Sequence, residues 1–221
     1  MHAPVDGPKI ERLLLRGGAG DIEALVELPP TMPLALAICC HPHPLFGGSL
    51  TNKVIHTVAR TFLAAGAVVI RFNFRGVGSS AGVHDHGEGE TDDVLRIAAW
   101  ARSRWPDLPL WLGGFSFGAW ISLRAQVNPA LLVTVAPPVG RWDFSKIQPP
   151  SCPWLVIQGT RDELVDVGAV ERWVHQLDQG RSEPAKIVKL AEADHFFHAR
   201  LHDVRAAVTD FLEAVAQARK V

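Results

Sequence analysis

The sequence predicts an α/β fold, a mostly parallel sheet of eight strands with helices on both faces. Two observations indicate this class. Eight short runs of apolar and β-branched residues recur along the chain, and after residue 40 they alternate with segments whose apolar residues are spaced three and four apart. Strands that are joined by helical crossovers form parallel sheets covered on both sides.

The predicted strands are residues 10–16, 21–28, 34–40, 67–73, 108–113, 131–136, 153–158 and 185–190. The predicted helices are residues 52–65, 88–104, 117–127, 167–178 and 200–218. Only residues 17–20 and 29–33 separate the first three strands, which predicts a meander at the start of the sheet. No repeat or linker divides the chain, so we expect residues 1–221 to form a single domain.

The composition of the chain disfavours several classes of binding partner. The formal net charge is -1 and the basic residues are scattered, which disfavours nucleic-acid binding. No apolar run approaches the length of about 18 residues that predicts a membrane span. The three cysteines, of which Cys39 and Cys40 are adjacent, form no disulfide pattern, and residues 1–6 do not resemble a secretory signal. We therefore expect a cytoplasmic protein; the sequence leaves its oligomeric state open.

A Gly-x-Ser-x-Gly motif is the most informative part of the chain. Gly114-Phe115-Ser116-Phe117-Gly118 lies between the predicted strand 108–113 and the helix that follows it. A strand, this motif and a helix in succession are typical of a nucleophile elbow, a turn so tight that its two glycines must lack side chains. Ser116 is therefore the candidate nucleophile.

A serine hydroxyl needs a base that takes its proton and an acid that orients that base. Asp162 follows the predicted strand 153–158, and His195 follows the last strand. This is the chain order Ser, Asp, His of hydrolases built on such sheets. Asp162 could instead cap the helix that starts near Val167. The competing residues are Glu163 and Asp166 for the acid and His198 for the base. Position relative to the strand ends favours Asp162 and His195.

Two backbone N–H groups should stabilise the oxyanion of the tetrahedral intermediate. One is the N–H of Phe117, directly after the nucleophile. The other belongs to the loop after the third strand, residues 41–48. Pro42 and Pro44 have no N–H, which leaves His43 and Leu45 as the two candidates.

Two further patterns are better explained without a cofactor or a metal. The glycines of residues 76–82 resemble a dinucleotide fingerprint, but no helix opens directly after them, so we predict a turn. Four histidines could suggest a metal site: His41, His43, His84 and His86. No ligand spacing typical of zinc accompanies them, and we expect them to hydrogen-bond locally to the backbone.

The chain resembles the small bacterial α/β-hydrolases, predicted serine hydrolases related to the dienelactone hydrolases, from about residue 10 to its end. The shared motifs are His41-Pro42-His43-Pro44 with Gly47-Gly48; Arg71-Phe72-Asn73-Phe74-Arg75-Gly76-Val77-Gly78 with Ser80, Gly82, Asp85, Gly89, Glu90 and Asp93; the elbow; Gln158-Gly159 with Asp162; and Asp194-His195-Phe196. The resemblance implies a Ser116–Asp162–His195 triad and esterase-like chemistry. The dienelactone hydrolases use a cysteine nucleophile, and the serine here favours ordinary carboxylic esters.

Residues 139–151 are too few for a helical cap between two strands, so we expect a capless fold and an open, shallow site. The candidate wall residues are Leu45, Phe46, Phe117, Trp142 and Phe196, of which Phe46, Trp142 and Phe196 are the predicted substrate-binding residues. Such a site suits short or exposed acyl groups of small-molecule esters, with no cofactor. The alternatives are a thioesterase, lysophospholipase, amidase or peptidase with the same triad, or a binding protein without catalysis.

Overall fold

A computed structural model describes residues 8–218 of the chain. The strands are β1 (Lys9–Arg16), β2 (Asp21–Leu28), β3 (Ala35–Cys40), β4 (Ala67–Phe72), β5 (Leu110–Phe115), β6 (Leu131–Val135), β7 (Trp154–Gly159) and β8 (Lys186–Leu190). The helices are α1 (Lys53–Ala64), α2 (Glu88–Arg104), α3 (Phe117–Ala125), α4 (Val167–Asp178) and α5 (Leu201–Ala218). Each lies within two residues of its predicted bounds.

The strands form one sheet in the order β1-β2-β4-β3-β5-β6-β7-β8. All pairs from β4 to β8 along this order are parallel, whereas β1 and β2 add an antiparallel hairpin at one edge. The predicted α/β class is thus confirmed. The predicted meander is wrong, because β2 pairs with β4 and not with β3. Both sides of β3 are occupied by parallel neighbours, which leaves the outer edge of β4 for the hairpin.

The fifth strand ends two residues later than predicted. Gly114 and Phe115 continue β5, and Gly113 and Gly114 pair with Cys39 and Cys40 of β3. A Cβ on Gly113 would lie 3.1 Å from the ring of Phe62, so its hydrogen lets α1 pack closely on the sheet. Gly114, the first glycine of the predicted elbow, therefore belongs to the strand.

Two apolar layers enclose the sheet. Helices α1 and α5 cover one face with side chains such as Phe62 and Phe211, and α2, α3 and α4 cover the other with Ile97, Trp120 and Val170. Complete burial of one such side chain stabilises the fold by about 1.5–3 kcal/mol. The layers hold the parallel strands so that the loops at their carboxyl ends meet at one edge, where ligands bind in sheets of this type.

No helix lies between β6 and β7, and residues 136–153 cross this edge as turns with one bridge between Val139 and Trp142. The expected absence of a cap is confirmed. None of the helices within residues 8–218 is both long and apolar enough to cross a membrane. The single domain over residues 1–221 stays a prediction, and residues 1–7 and 219–221, with the expectation on residues 1–6, lie outside the described residues.

Candidate active site

Ser116 lies in the turn between β5 and α3, at backbone angles that residues other than glycine rarely adopt. Its φ is 52° and its ψ is −119°, and its N–H donates to the carbonyl oxygen of Val135 at 2.9 Å. A Cβ on Gly114 would overlap the backbone of Gly118, and one on Gly118 would overlap that of Cys40. The strand, turn and helix therefore form the predicted elbow, and strain of this kind is typical of functional positions.

Three side chains form a hydrogen-bonded chain at this turn. Nε2 of His195 lies 3.0 Å from Oγ of Ser116, and Nδ1 of His195 lies 2.8 Å from Oδ2 of Asp162. An ionised carboxylate only accepts hydrogen bonds, so Nδ1 carries the proton of the neutral ring. Nε2 is then left as the acceptor for the hydroxyl hydrogen of Ser116. This is the arrangement that activates a serine hydroxyl.

The surroundings of Asp162 keep its carboxyl ionised. Burial on its own would raise the pKa of Asp162, but hydrogen bonds from His195 and from two backbone N–H groups outweigh it and lower the pKa below its ordinary value. Those N–H groups belong to Leu164 and Val165 and reach Oδ1 at 2.9 and 2.8 Å. The amide of Gln158 donates to Oδ2 at 2.7 Å. The carboxylate therefore has fixed partners on both oxygens.

The competing residues have other partners. The carboxylate of Glu163 accepts the backbone N–H of His195 and does not contact its ring. Asp166, and not Asp162, caps α4, because its side chain accepts two N–H groups of the first turn. The ring of His198 pairs with another carboxylate, 2.6 Å away.

The loop after β3 carries the remaining candidate donors. It turns through a short 3₁₀ helix (Pro44–Phe46), where the N–H of Leu45 donates to Nδ1 of His43 at 3.2 Å. Within residues 8–218, the N–H groups of His43 and Phe117 have no hydrogen-bond partner. Of the two N–H groups that the sequence left open in this loop, only that of His43 is available to a ligand.

Buried side chains hold this loop in place, a role that the sequence analysis did not assign. The ring of His41 is fully buried, with Nδ1 2.6 Å from the carbonyl oxygen of Pro42 and Nε2 3.0 Å from the N–H of Phe74. Burial is the main reason that the pKa of His41 falls to about 4, so the ring is neutral at pH 7. It links the start of the loop to the chain that leaves β4.

The end of the loop is fixed through Leu50. Oδ1 of Asn73 accepts the N–H of Leu50 at 2.8 Å, and the guanidinium of Arg71 donates to its carbonyl oxygen at 2.7 Å. Arg71 is itself paired with the buried Glu27 at 2.9 Å. We call residues 41–50 the clamped loop, and His41, Arg71 and Asn73 its clamp. In the sequence these residues stand out only as members of the shared motifs and as polar residues at the end of the otherwise apolar β4.

The two misleading patterns are explained by local structure. Residues 76–82 form turns, with positive φ at Gly76, Gly78 and Gly82. The rings of His41 and His43 hydrogen-bond to the backbone, as predicted. Nδ1 of His84 instead lies 2.8 Å from the carboxylate of the buried Glu90. Within residues 8–218 no cluster of His, Cys, Asp or Glu has the geometry of a metal site.

A cleft of about 350 Å³ opens beside Ser116 and His195. Its other lining residues are Pro42, His43, Phe46, Gly47, Gly48, Asn52, Pro138, Arg141, Trp142, Leu164, Val165 and Phe196. The set includes the predicted substrate-binding residues Phe46, Trp142 and Phe196. Two candidate wall residues do not line it. Leu45 points to solvent, and Phe117 is fully buried because its ring packs under that of His43 at a centroid distance of 4.8 Å.

Comparisons with known proteins agree with this geometry. A family model of X-Pro dipeptidyl-peptidases (S15 family) matches residues 41–148. An uncharacterised protein of Rickettsia prowazekii is 35% identical over 193 residues, which are 83% of this chain and 79% of that protein. An α/β serine hydrolase without lid from Xanthomonas campestris has a crystal structure that is 44% identical with a TM-score of 0.88, covering 96% of this chain and 97% of its own. An α/β serine hydrolase homologue from Coxiella burnetii is 39% identical with a TM-score of 0.84, covering 90% and 96%.

The strand order and the elbow at Ser116 define an α/β-hydrolase fold, here without a cap. The Xanthomonas and Coxiella proteins are 44% and 39% identical to this chain and share its fold over nearly their whole length. The chain belongs to the family of small α/β serine hydrolases without a lid.

Proposed function

We propose that this chain hydrolyses carboxylic esters through an acyl-enzyme, with Ser116 as nucleophile, His195 as general base and Asp162 as the acid that orients it. The observation that carries the proposal is the continuous hydrogen bonding from Ser116 through His195 to Asp162 beside an open cleft. No cofactor or metal takes part in the reaction.

Acylation begins when Oγ of Ser116 attacks the ester carbonyl carbon while Nε2 of His195 takes the hydroxyl proton. Asp162 stabilises the imidazolium that forms. The N–H groups of Phe117 and His43 hold the oxyanion, and loss of one such donor costs about 2.7–4 kcal/mol of transition-state stabilisation. The tetrahedral intermediate collapses, the C–O bond to the alcohol breaks, and His195 returns its proton to the leaving oxygen.

Deacylation repeats these steps with water. Nε2 of His195 takes a proton from water as its oxygen attacks the acyl carbon, and the same N–H groups hold the second oxyanion. Collapse breaks the bond to Oγ of Ser116, which recovers its proton from His195. The open cleft and the lack of a cap support short or exposed acyl groups as substrates.

An X-Pro dipeptidyl-peptidase is the second candidate, because the matching family model covers Ser116 and the clamped loop, although neither Asp162 nor His195. Release of a dipeptide requires recognition of the ammonium group at the substrate N-terminus. A carboxylate is the natural partner for that group, and among residues 8–218 no carboxylate side chain lines the cleft. Hydrolysis of alanyl-prolyl-p-nitroanilide at a rate above that of the esters would favour the peptidase.

The test is hydrolysis of p-nitrophenyl esters from acetyl to palmitoyl by the wild type and by Ser116→Ala. We expect turnover of the short esters and a loss of kcat of about 10⁴-fold or more in the variant. Ser122→Ala is the matched control, because this serine lies on α3, which follows the elbow, and its hydroxyl donates to the carbonyl oxygen of Gly118. An unchanged rate in Ser116→Ala would refute the mechanism.

We also propose that the enzyme acts in the cytoplasm. Cys39 and Cys40 are adjacent in β3 and belong to the apolar layers on opposite faces of the sheet, so they do not face each other. Burial raises the pKa of the Cys40 thiol to about 12, and such a thiol is unreactive at pH 7. These features suit a reducing compartment, which cell fractionation would test.

A further inference from the structure

The polar side chains that line the cleft, apart from Ser116 and His195, are all hydrogen-bond donors. They are Asn52, Arg141 and the two aromatic residues His43 and Trp142. No carboxylate and no aliphatic hydroxyl accompanies them among the described residues. Apart from Ser116 and His195, the side chains of this cleft are thus complementary to a ligand that is rich in acceptors.

The orientation of the smaller groups follows from their bonds. Oδ1 of Asn52 caps α1 by accepting the N–H groups of Val54 and Ile55 at 3.0 and 3.3 Å, so only its NH₂ remains for a ligand. Nδ1 of His43 accepts the N–H of Leu45. The pKa of His43 is lowered to about 4, chiefly by burial and then by His84, so the neutral ring carries its proton on Nε2. Neither side chain presents an acceptor.

Arg141 adds a full positive charge. Its Nη1 donates to the carbonyl oxygen of Leu164 at 3.2 Å, and this contact holds the side chain at the cleft. Within residues 8–218 no carboxylate oxygen lies within 4.0 Å of its guanidinium, whereas Arg75, Arg124 and Arg161 each pair with a carboxylate. The remaining N–H groups of Arg141 are available, and a guanidinium binds carboxylate and phosphate groups through parallel hydrogen bonds.

We propose that the substrate is an anionic ester, which carries a carboxylate or phosphate besides the scissile ester, and that Arg141 pairs with this anion. The inference rests on the proposed ester hydrolysis and names its substrate class. Arg141 shares the cleft with the apolar side chains of Pro138, Leu164, Val165 and Phe196, which would contact the uncharged part of such an ester. Arg141 is a specificity-determining residue, since the attack on the carbonyl carbon does not need it.

The test compares esters of matched size. On the acyl side the pair is the mono-p-nitrophenyl ester of adipate against p-nitrophenyl hexanoate; on the alcohol side it is the butyrate ester of 4-hydroxybenzoate against that of 4-hydroxybenzamide. We expect the wild type to favour the anion of at least one pair by about five- to tenfold in kcat/KM. Arg141→Gln should abolish that preference by lowering kcat/KM for the anionic ester more than for its neutral partner, Arg141→Lys should keep part of it, and added salt should weaken it.

Arg205→Gln is the matched control. Arg205 is exposed on α5, does not line the cleft, and its replacement changes the net charge by the same amount. Equal kcat/KM for both members of both pairs in the wild type would overturn the inference while the ester hydrolysis stands. An equal loss of preference in Arg205→Gln would also overturn it, because the effect would then reflect net charge.

A binding measurement separates this inference from the proposed function. Ser116→Ala cannot form the acyl-enzyme, so calorimetric titration of this variant with the intact esters needs no turnover. Tighter binding of the anionic member, lost in the Ser116→Ala, Arg141→Gln double variant, would support the anion site even if no ester were hydrolysed. Equal affinity for the charged and neutral members would refute it whatever the wild-type activity.

Discussion

The two sides of the cleft are built differently. On one side the clamped loop is held by His41, Arg71 and Asn73, which are 0%, 6% and 5% exposed. The opposite side, here called the outer wall, consists of residues 138–142 and 164–165 with Phe196. A bridge between Val139 and Trp142 and the hydrogen bond from Arg141 to Leu164 connect its segments. The side chains of Leu164 and Phe196 are 40% and 44% exposed. The proposed oxyanion donor lies on the fixed side, and the side chains proposed to select substrate lie mostly on the other.

This difference teaches where sequence change is tolerated. Removing a buried partner of the clamp leaves a backbone group unsatisfied, at about 1–3 kcal/mol each. Substitutions at exposed positions usually change stability by less than about 0.5 kcal/mol. The exposed residues of the outer wall, such as Leu164 and Phe196, can therefore change with substrate while the clamped loop keeps its geometry.

The largest expected effect is a loss of folding stability at acid pH, caused by His41 of the clamp. Burial lowers the pKa of His41 from 6.5 to about 4, so between these values the unfolded chain binds more protons than the folded one. The stability that the neutral ring contributes is fully present above pH 6.5 and is lost as the pH falls towards 4. At 1.36 kcal/mol per unit, the full loss is about 3 kcal/mol. A second ring proton would also face the N–H of Phe74, which Nε2 now accepts.

Urea unfolding of the wild type and His41→Gln at several pH values between 7 and 4 measures this loss. We expect the free energy of unfolding to fall more steeply with acid in the wild type, because glutamine does not titrate. His202→Gln is the control, since this histidine is exposed on α5. Parallel curves for wild type and His41→Gln would show that the ring is not held neutral by the fold.

The second effect concerns the other end of the clamp. Asn73→Ala leaves the buried N–H of Leu50 without its acceptor, so we expect a loss of about 1–3 kcal/mol of stability. The loop that carries the His43 N–H should then be less well placed, and kcat should fall by about tenfold or more with little change in KM, because an oxyanion donor acts in the transition state.

Glu23→Gln separates loop position from general stability. Glu23 accepts the other end of the Asn73 amide, at 2.7 Å, so its replacement weakens the network without removing the bond to Leu50. We expect lower stability and an unchanged kcat in this control. An equal fall of kcat in both variants, measured well below their unfolding temperatures, would mean that Asn73 does not position the loop.

The contrast between the clamped loop and the outer wall also bears on which features could be predicted from the sequence. The strands and helices follow from local periodicity and lie within two residues of their predicted bounds, and the chain order of Ser116, Asp162 and His195 follows the strand ends. The clamp depends on contacts between residues far apart, such as Asn73 with Leu50, 23 positions away, and Arg71 with Glu27, 44 positions away. These contacts require β4 to lie between β2 and β3, which is the pairing that the predicted meander missed.

The smallest effect is expected at the outer wall. Leu164→Ala removes an exposed side chain of the cleft but keeps the backbone N–H that binds Asp162. Because a buried methylene is worth about 0.8 kcal/mol, we expect KM for a hexanoate ester to rise about two- to fivefold, with kcat and stability unchanged. The acetate ester has a much shorter acyl chain and should be affected less. Leu95→Ala, on α2 and similarly exposed at 45%, is the matched control. A fall in kcat with every ester would instead place Leu164 in the support of Asp162, and the two sides of the cleft would then differ less than their exposure indicates.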